Sequence, residues 1–401
     1  MVSTTQSTER PGRPGRLVNF EKARDTHGSR ADLMAEMLQA GDPLADAVIS
    51  EINELGKAAK RQLNQGLVDG LDSLDNPPPA ISAFLTQLET LPEWIDRDTV
   101  AAGDVAALSI PPVWALLTSA GFPLIHTYAS PSISKLLVQT GSFTTMAPRR
   151  LAETELWRQQ AVLPGGLLRG APGYVATVQV RLLHARVRHT AMKHGWDSAE
   201  WGVPINQTDI ARTWLDTNAV PYLSARKLGI VFTEEEQAQH YRYWSYLGHL
   251  LGMDERFHLA VRSDDEAQAL LDLLDSTIEE PDDNSRALCG AALDASVEAL
   301  AAGPMSMLDR ATVRDLYIAL LRHYFGDGFA DALQLPPAQS AGLLPLLATA
   351  GAQSWQLQRS TPESAALALE QFTAMNVAAG AAKPEGHTAF QKNLSTEAAS
   401  A

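Results

Sequence analysis

YVATVQVRLLHARVRHTAMKH, residues 174–194, decides how the rest of the chain is read. Val180, His184, Val187 and Ala191 recur at helical spacing, so this stretch is an amphipathic helix with a histidine in its apolar seam. A histidine so placed is most often a satisfied core residue; the alternative is an imidazole kept available as a ligand. Arg181 lies one turn before His184 and Arg188 one turn after it, within reach of carboxylates on a group bound at His184. Arginine–carboxylate pairs of that kind are charge-assisted and often bidentate. A solvated basic face is the plainer reading, and it suits Arg188 better than Arg181. His189 reads as a supporting polar group rather than a ligand.

Working outward, the flanking segments also carry helix signals. Thr233-Glu-Glu-Glu236 is a capping box opening a segment with His240, Trp244, Leu247 and Leu251 on one stripe. Thr361-Pro362-Glu363 places a proline at a first helical position, and Asn206-Gln-Thr208-Asp209 starts a helix containing Thr213 and Trp214. There are no alternating strand runs, no solenoid-period repeat and no glycine-rich nucleotide loop, which makes the chain all-α. Asp75-Asn76-Pro77-Pro78-Pro79 interrupts the helices, since consecutive prolines cannot continue one. Residues 1–28 and 381–401 lack apolar periodicity and read as disordered ends around a single helical domain over 29–380.

Composition narrows the function classes. A chain of 401 residues with 45% apolar content buries a sizeable core. Its net charge of −15 opposes attraction to phosphate backbones, so nucleic acid is not an expected partner. One cysteine, Cys289, excludes an intrachain disulfide and any Cys-rich zinc or iron–sulfur site. No apolar run follows the N-terminal basic residues, so neither a secretory signal nor a transmembrane segment is read, and the cytoplasm is the expected location. The apolar stretches Ala106–Ala120 and Ala341–Ala350 fall short of a span and read as buried helices.

Two further blocks concentrate polar groups. Arg150, Glu153 and Thr154 stand at i, i+3 and i+4 on one helical face, either a solvent-exposed stripe or a pocket wall. Tyr243 to Asp254 ends a helix at Gly252, with His249 in its last turn where the dipole favours a cation. No HExxH, CxxC, GxSxG or Walker element occurs, which removes the usual support for hydrolytic zinc, thiol, serine-esterase and nucleotide chemistry.

Together these blocks resemble the rubber oxygenase (latex-clearing protein) and MpaB-type oxygenase family over roughly residues 78–358. The resemblance rests on Leu91-Pro-Glu-Trp-Ile-Asp96, Arg150-Leu-Ala-Glu-Thr154, Val180-Arg-Leu-Leu-His184, Val203-Pro-Ile-Asn-Gln-Thr-Asp209, Thr213-Trp214, Tyr246-Leu-Gly-His249 and Arg322-His-Tyr-Phe-Gly-Asp327. It implies a globin-like helical core with flanking helices, binding haem b and oxidising an apolar, unsaturated, isoprenoid- or lipid-like substrate with dioxygen. His184 would be the proximal iron ligand, Arg181 and Arg188 would meet the propionates, and Arg150 and Thr154 would lie on the distal side.

Three positions depart from the family pattern. Glu153 stands where latex-clearing proteins have a lysine, Ser132 where they have a glutamate acid–base group, and Leu215 where a histidine follows Thr-Trp. Glu153 is then either a replacement acid–base group or an ion-pair partner of Arg149 or Arg150. A non-catalytic haem or gas-binding protein and a cofactor-free helical interaction protein remain the competing readings.

Overall fold

The computed structural model describes residues 12–139 and 143–381, all helix, turn and loop, with no strand among them. At its centre runs Gln207–Lys227, buried on almost every side from Gln207 to Ala225. A helix enclosed all round needs apolar residues on all faces and partners for each polar one. Ile210, Trp214 and Leu215 join one core cluster, and Tyr222 and Ala225 the other. Asn206 caps this helix, accepting from Asp209 N at 2.9 Å, as its sequence signal requires.

The first cluster gathers the N-terminal helices, Pro172–Lys193 and Glu234–Leu250; the second gathers Pro112–Ser119, Phe122–Tyr128, Asp283–Ala302 and Arg310–Phe325. The Thr233 capping box forms in both directions, and Thr361 Oγ1 accepts from Ser364 N at the start of Pro362–Ala381. The proline break at 75–79 is a loop within the first cluster, since Leu67 before it and Phe84 after it share that core.

Two expectations are corrected. Residues 12–28 are not a disordered end: Phe20–His27 is a helix, and Arg16 is buried, pairing with Asp209 at 2.7 Å and donating to Ser132. Isolated long-range polar anchors hold this segment, and they leave no periodic trace. Ala341–Ala350 is not a buried helix: Leu343 and Leu346 are exposed, and Leu344–Gln358 buries only Gly351 and Trp355. Ala106–Ala120 does bury Ala106, Ile110, Trp114 and Leu117. Among the described residues no single helix is long and apolar enough to cross a membrane; Arg97–Ser109 and Pro112–Tyr128 reach that composition only as a pair bent by 90°.

Candidate active site

Phe143–Val162 and Pro172–Lys193 form an antiparallel pair joined by a glycine-rich turn. Trp157 Nε1 donates to Thr177 Oγ1 at 2.9 Å. Gly173 lies so close to the first helix that a Cβ there would stand 2.6 Å from Gln160 O and 2.7 Å from Ala161 Cα, so only glycine permits the contact. The two contacts share one register: position 161 faces 173, and 157 faces 177. Two turns farther on, the same register sets Arg150 opposite His184. Electrostatics agree, because the Arg150 charge helps to hold His184 neutral.

His184 lies deep in the protein and its side chain is half-buried. Ala176, Val180, Val187 and Ala191, along the same face, are likewise half-buried, whereas Val178, Leu182 and Ala185 are closed into the core. Burial, then Arg188 and Arg150, push the imidazole pKa down to about 4 against a small opposing effect of Asp42. Its Nδ1 is buried without a hydrogen-bond partner. Buried polar atoms are usually paired, and His184 Nδ1 shares its unpartnered state with His240 Nε2 and His258 Nδ1.

Other buried histidines separate into clear classes. His126 has both nitrogens committed, to Asp216 at 2.7 Å and Asp275 at 3.3 Å, beside an open hollow of about 510 Å³ that also borders Phe325 and Phe329. His240 Nδ1 is bonded to Asp104 and His249 Nε2 to Gln87. His258 also has an orphan Nδ1, but it packs under Trp94 beside His249. Among these, His184 is the one that the helix register turns toward Arg150 and Thr154, across the groove, or crevice, between the two helices. Sequence reasoning missed the His126–Asp216–Asp275–Arg212 network because its members come from three helices.

Arg181 does not reach toward that crevice. Its Nε and Nη2 donate to Asp42 at 2.6 and 3.0 Å, its Nη1 to Gln87 at 2.8 Å, and its guanidinium lies over Phe84. Gly252, at φ 72°, permits this clamp, since a Cβ there would collide with both Arg181 Nε and Asp42 Oδ2. Arg188 is buried too, contrary to a solvated face, and donates to Asp46 at 2.9 Å and Ile205 O at 2.6 Å. Arg181 thus has Asp42 and Gln87 as partners, and of the two arginines Arg188 keeps a buried, unpartnered Nη2. Both arginines fasten Pro43–Leu55 to the His184 helix.

Cutting the Asp42–Arg181 pair by Arg181→Met is expected to cost roughly 3–5 kcal/mol, because Asp42 would be left charged and buried. Urea unfolding should show it. A loss below about 1 kcal/mol would mean that the pair is solvated.

On the facing helix, Arg149 Nε donates to Glu153 at 2.7 Å, i to i+4. Burial lowers the Arg150 pKa, an effect opposed by the neighbouring Tyr128 and Glu153. Tyr128 is buried and its phenol is pushed up to about 12 by desolvation. Thr154 is half-buried beside them. Ser132 is hydrogen-bonded to Arg16 and Ser130, and Leu215 is fully buried. Gln87, Asp42, Asp46 and Tyr128 had no local sequence signal tying them to the site; their partners lie far away along the chain.

Buried histidines also set the pH response. His258 is held down to about 3, by burial first and by His249 second. The unfolded chain therefore binds its proton first, and this contribution to stability, present above about pH 6.5, is lost as pH falls from there toward 3. Its size is on the order of 3–5 kcal/mol. His126 has the opposite sign: raised to about 9 by Asp275 and Asp216 against desolvation, it stabilises at low pH and ceases to do so as pH rises through 9. His258→Leu should make the acid limb of a stability–pH curve shallower without removing it, since His184 and His249 are also held down to about 4, and should leave the alkaline limb unchanged.

The family described as ER-bound oxygenase mpaB/B'/Rubber oxygenase, catalytic domain, matches residues 101–355. A solved structure titled "Structure of Latex Clearing Protein LCP in the closed state" superposes with a TM-score of 0.61 at 20% identity, covering 84% of this chain and 91% of that one. At that identity the likeness concerns the fold. No curated protein matches the chain. With more than half its length matched, from the start of the helices that precede the crevice to the helix that carries Trp355, the chain belongs to the mpaB/rubber oxygenase catalytic-domain family.

Proposed function

We propose that this oxygenase-family protein uses haem b, with His184 as the axial ligand and Arg150 and Thr154 on the opposite wall, to oxidise an apolar, unsaturated substrate with dioxygen. The observation that carries this reading is the imidazole of His184, held neutral and with its Nδ1 unpartnered, on the helix that faces Arg150. Its donor set fits the group: a haem iron needs one axial nitrogen, and neutral imidazole is a common donor. Among the described residues no cluster of three or more His, Cys, Asp or Glu side chains offers a different metal site. When bound, the haem would supply the iron at which dioxygen is activated.

The remaining work falls to the chain. Half-buried Val180 and Val187 present an apolar surface beside His184, suited to a hydrocarbon and to excluding water. The Arg150 guanidinium and Thr154 hydroxyl are donors for negative charge developing on oxygen. Arg181 and Arg188 hold the His184 helix in place rather than binding propionates, with the free Nη2 of Arg188 the one donor left for such a contact.

The deciding experiment is the absorption spectrum of the purified protein, with and without reductant and carbon monoxide. A Soret band that shifts on both additions is expected; a chain without one would be a cofactor-free helical protein. Haem without oxygen uptake over a panel of isoprenoids and unsaturated lipids would make it a gas-binding protein.

Glu153 is proposed as a structural partner of Arg149, not as the acid–base group. Glu153→Gln should leave the haem spectrum and both limbs of the pH–rate profile intact, and cost about 0.5 kcal/mol, as for an i,i+4 pair. Disappearance of one limb would assign Glu153 to catalysis instead.

A further inference from the structure

Aromatic residues make up only 6% of the chain, yet several form a contiguous file leading away from the crevice. Trp157 lies on the face of its helix that carries Arg150 and Thr154, about 10 Å along the axis from Arg150. Its ring meets Trp244 at 6.5 Å between centroids; Trp244 meets His240 at 6.1 Å, and His240 stacks on Tyr222 at 3.6 Å. Tyr222 continues to Phe232 at 4.9 Å and Phe232 to Trp355 at 5.1 Å, where the partly exposed Arg359 lies over the indole.

A second feature is independent of the stacking. Tyr222 Oη and Trp244 Nε1, the two oxidisable groups in the middle of the file, donate to the same carboxylate, Asp104, at 3.1 and 2.7 Å. Asp104 is fully buried, and His240 Nδ1 and Ala107 N complete its hydrogen bonds. A packing role alone would be served by phenylalanine, which brings no polar atom needing a partner. A phenol bonded to a carboxylate can lose an electron without creating a buried cation, because its proton moves to the acceptor in the same event.

We propose that Trp157, Trp244, Tyr222 and Trp355, with Asp104 as proton acceptor, form a one-electron relay between the crevice and the protein surface. Its source rests on the haem reading above. Reduction of one hydrogen peroxide in the crevice breaks its O–O bond and, with two electrons and two solvent protons, gives two waters; each of the two electrons is drawn singly from Trp157. Trp244 refills Trp157, and Tyr222 refills Trp244 while its Oη proton passes to Asp104. An external one-electron reductant of the thiol or ascorbate type then restores Tyr222 by way of Trp355 and the Phe232 ring, and the proton returns from Asp104. Two passages of the relay carry two electrons from the external donor to one peroxide, which leaves as two waters with protons from solvent, and no proton is gained or lost at Asp104. The relay removes oxidising equivalents that the substrate has not consumed.

The test enters at the surface and needs no turnover. In the full chain, Gln356→Cys beside Trp355 is labelled with a ruthenium photo-oxidant, the native Cys289 being buried. After a flash with an electron-accepting quencher, a tryptophan radical should appear and give way to a tyrosyl radical. Tyr222→Phe should abolish the tyrosyl signal, while Tyr317→Phe, whose ring stacks on Phe122 away from the file, should retain it; melting curves confirm that both variants fold. A tyrosyl yield unchanged by Tyr222→Phe, or no radical beyond Trp355, overturns the path.

A second arm treats haem-loaded protein with peroxide and reads freeze-quenched paramagnetic resonance, where Trp157→Phe should lose the tyrosyl radical. A haem-loaded wild type that yields none overturns the link to the crevice. Absence of haem is instead a failure of the functional reading, and the photochemical arm still decides the path.

Discussion

His184→Ala is expected to yield a folded protein that purifies without haem. Binding must be non-covalent, since the chain has no Cys-x-x-Cys-His motif, and so it depends on the axial bond and on apolar contact. Loss of an outer partner to a metal ligand costs about 10–100-fold in affinity, and loss of the ligand itself should exceed that. Removing this imidazole also differs from an ordinary core truncation. His184 Nδ1 satisfies no other group, so no partner is orphaned by its loss, and a poorly compensated polar ring leaves the interior. The haem-free variant should therefore unfold within about 1 kcal/mol of the haem-free wild type. Retained Soret absorbance would refute the ligand assignment. Lost absorbance together with lost far-ultraviolet dichroism would show instead that His184 supports the fold.

How much of this was legible in the sequence follows from the range of each interaction. Asn206, Thr233 and Thr361 announce helix starts because a cap bonds backbone only a few residues away. The face shared by Val180, His184 and Val187 is legible for the same reason. The partners of Arg181 are not legible, because spacing along one helix says where a guanidinium stands and nothing of what meets it. Its partner Asp42 is 139 positions away and is itself the cap of Pro43–Leu55. Arg16 and Asp209, 193 apart, defeat the disorder reading of residues 12–28 in the same manner. Leu343 and Leu346 fail differently: apolar composition predicts burial only where another element arrives to cover it. The Asp104 hub joins residues 118 and more apart, so nothing local betrays it.

Arg150→Ala and Thr154→Ala are expected to keep haem and lose turnover. In the proposed arrangement both side chains lie on the wall opposite His184 and neither holds the axial ligand, whose helix is fastened by Asp42–Arg181 and Asp46–Arg188. Removing a preorganised donor to developing oxyanion charge typically lowers kcat by about 10²–10³. Arg150 should show the larger loss, because a buried cation acts through charge as well as through a hydrogen bond. Arg150→Lys separates the two contributions: it keeps the charge but not the planar fork, and recovery of most of the activity would assign the effect to charge. Thr154→Ser keeps the hydroxyl and should restore activity; Thr154→Val keeps the shape and should not. Loss of Arg150 also relieves one of the charges that hold His184 neutral, so the haem-free variant should titrate His184 at higher pH, which NMR can follow without any turnover. Wild-type rates in Arg150→Ala together with an unmoved His184 titration would place Arg150 away from the crevice and remove the opposite wall from the proposed chemistry.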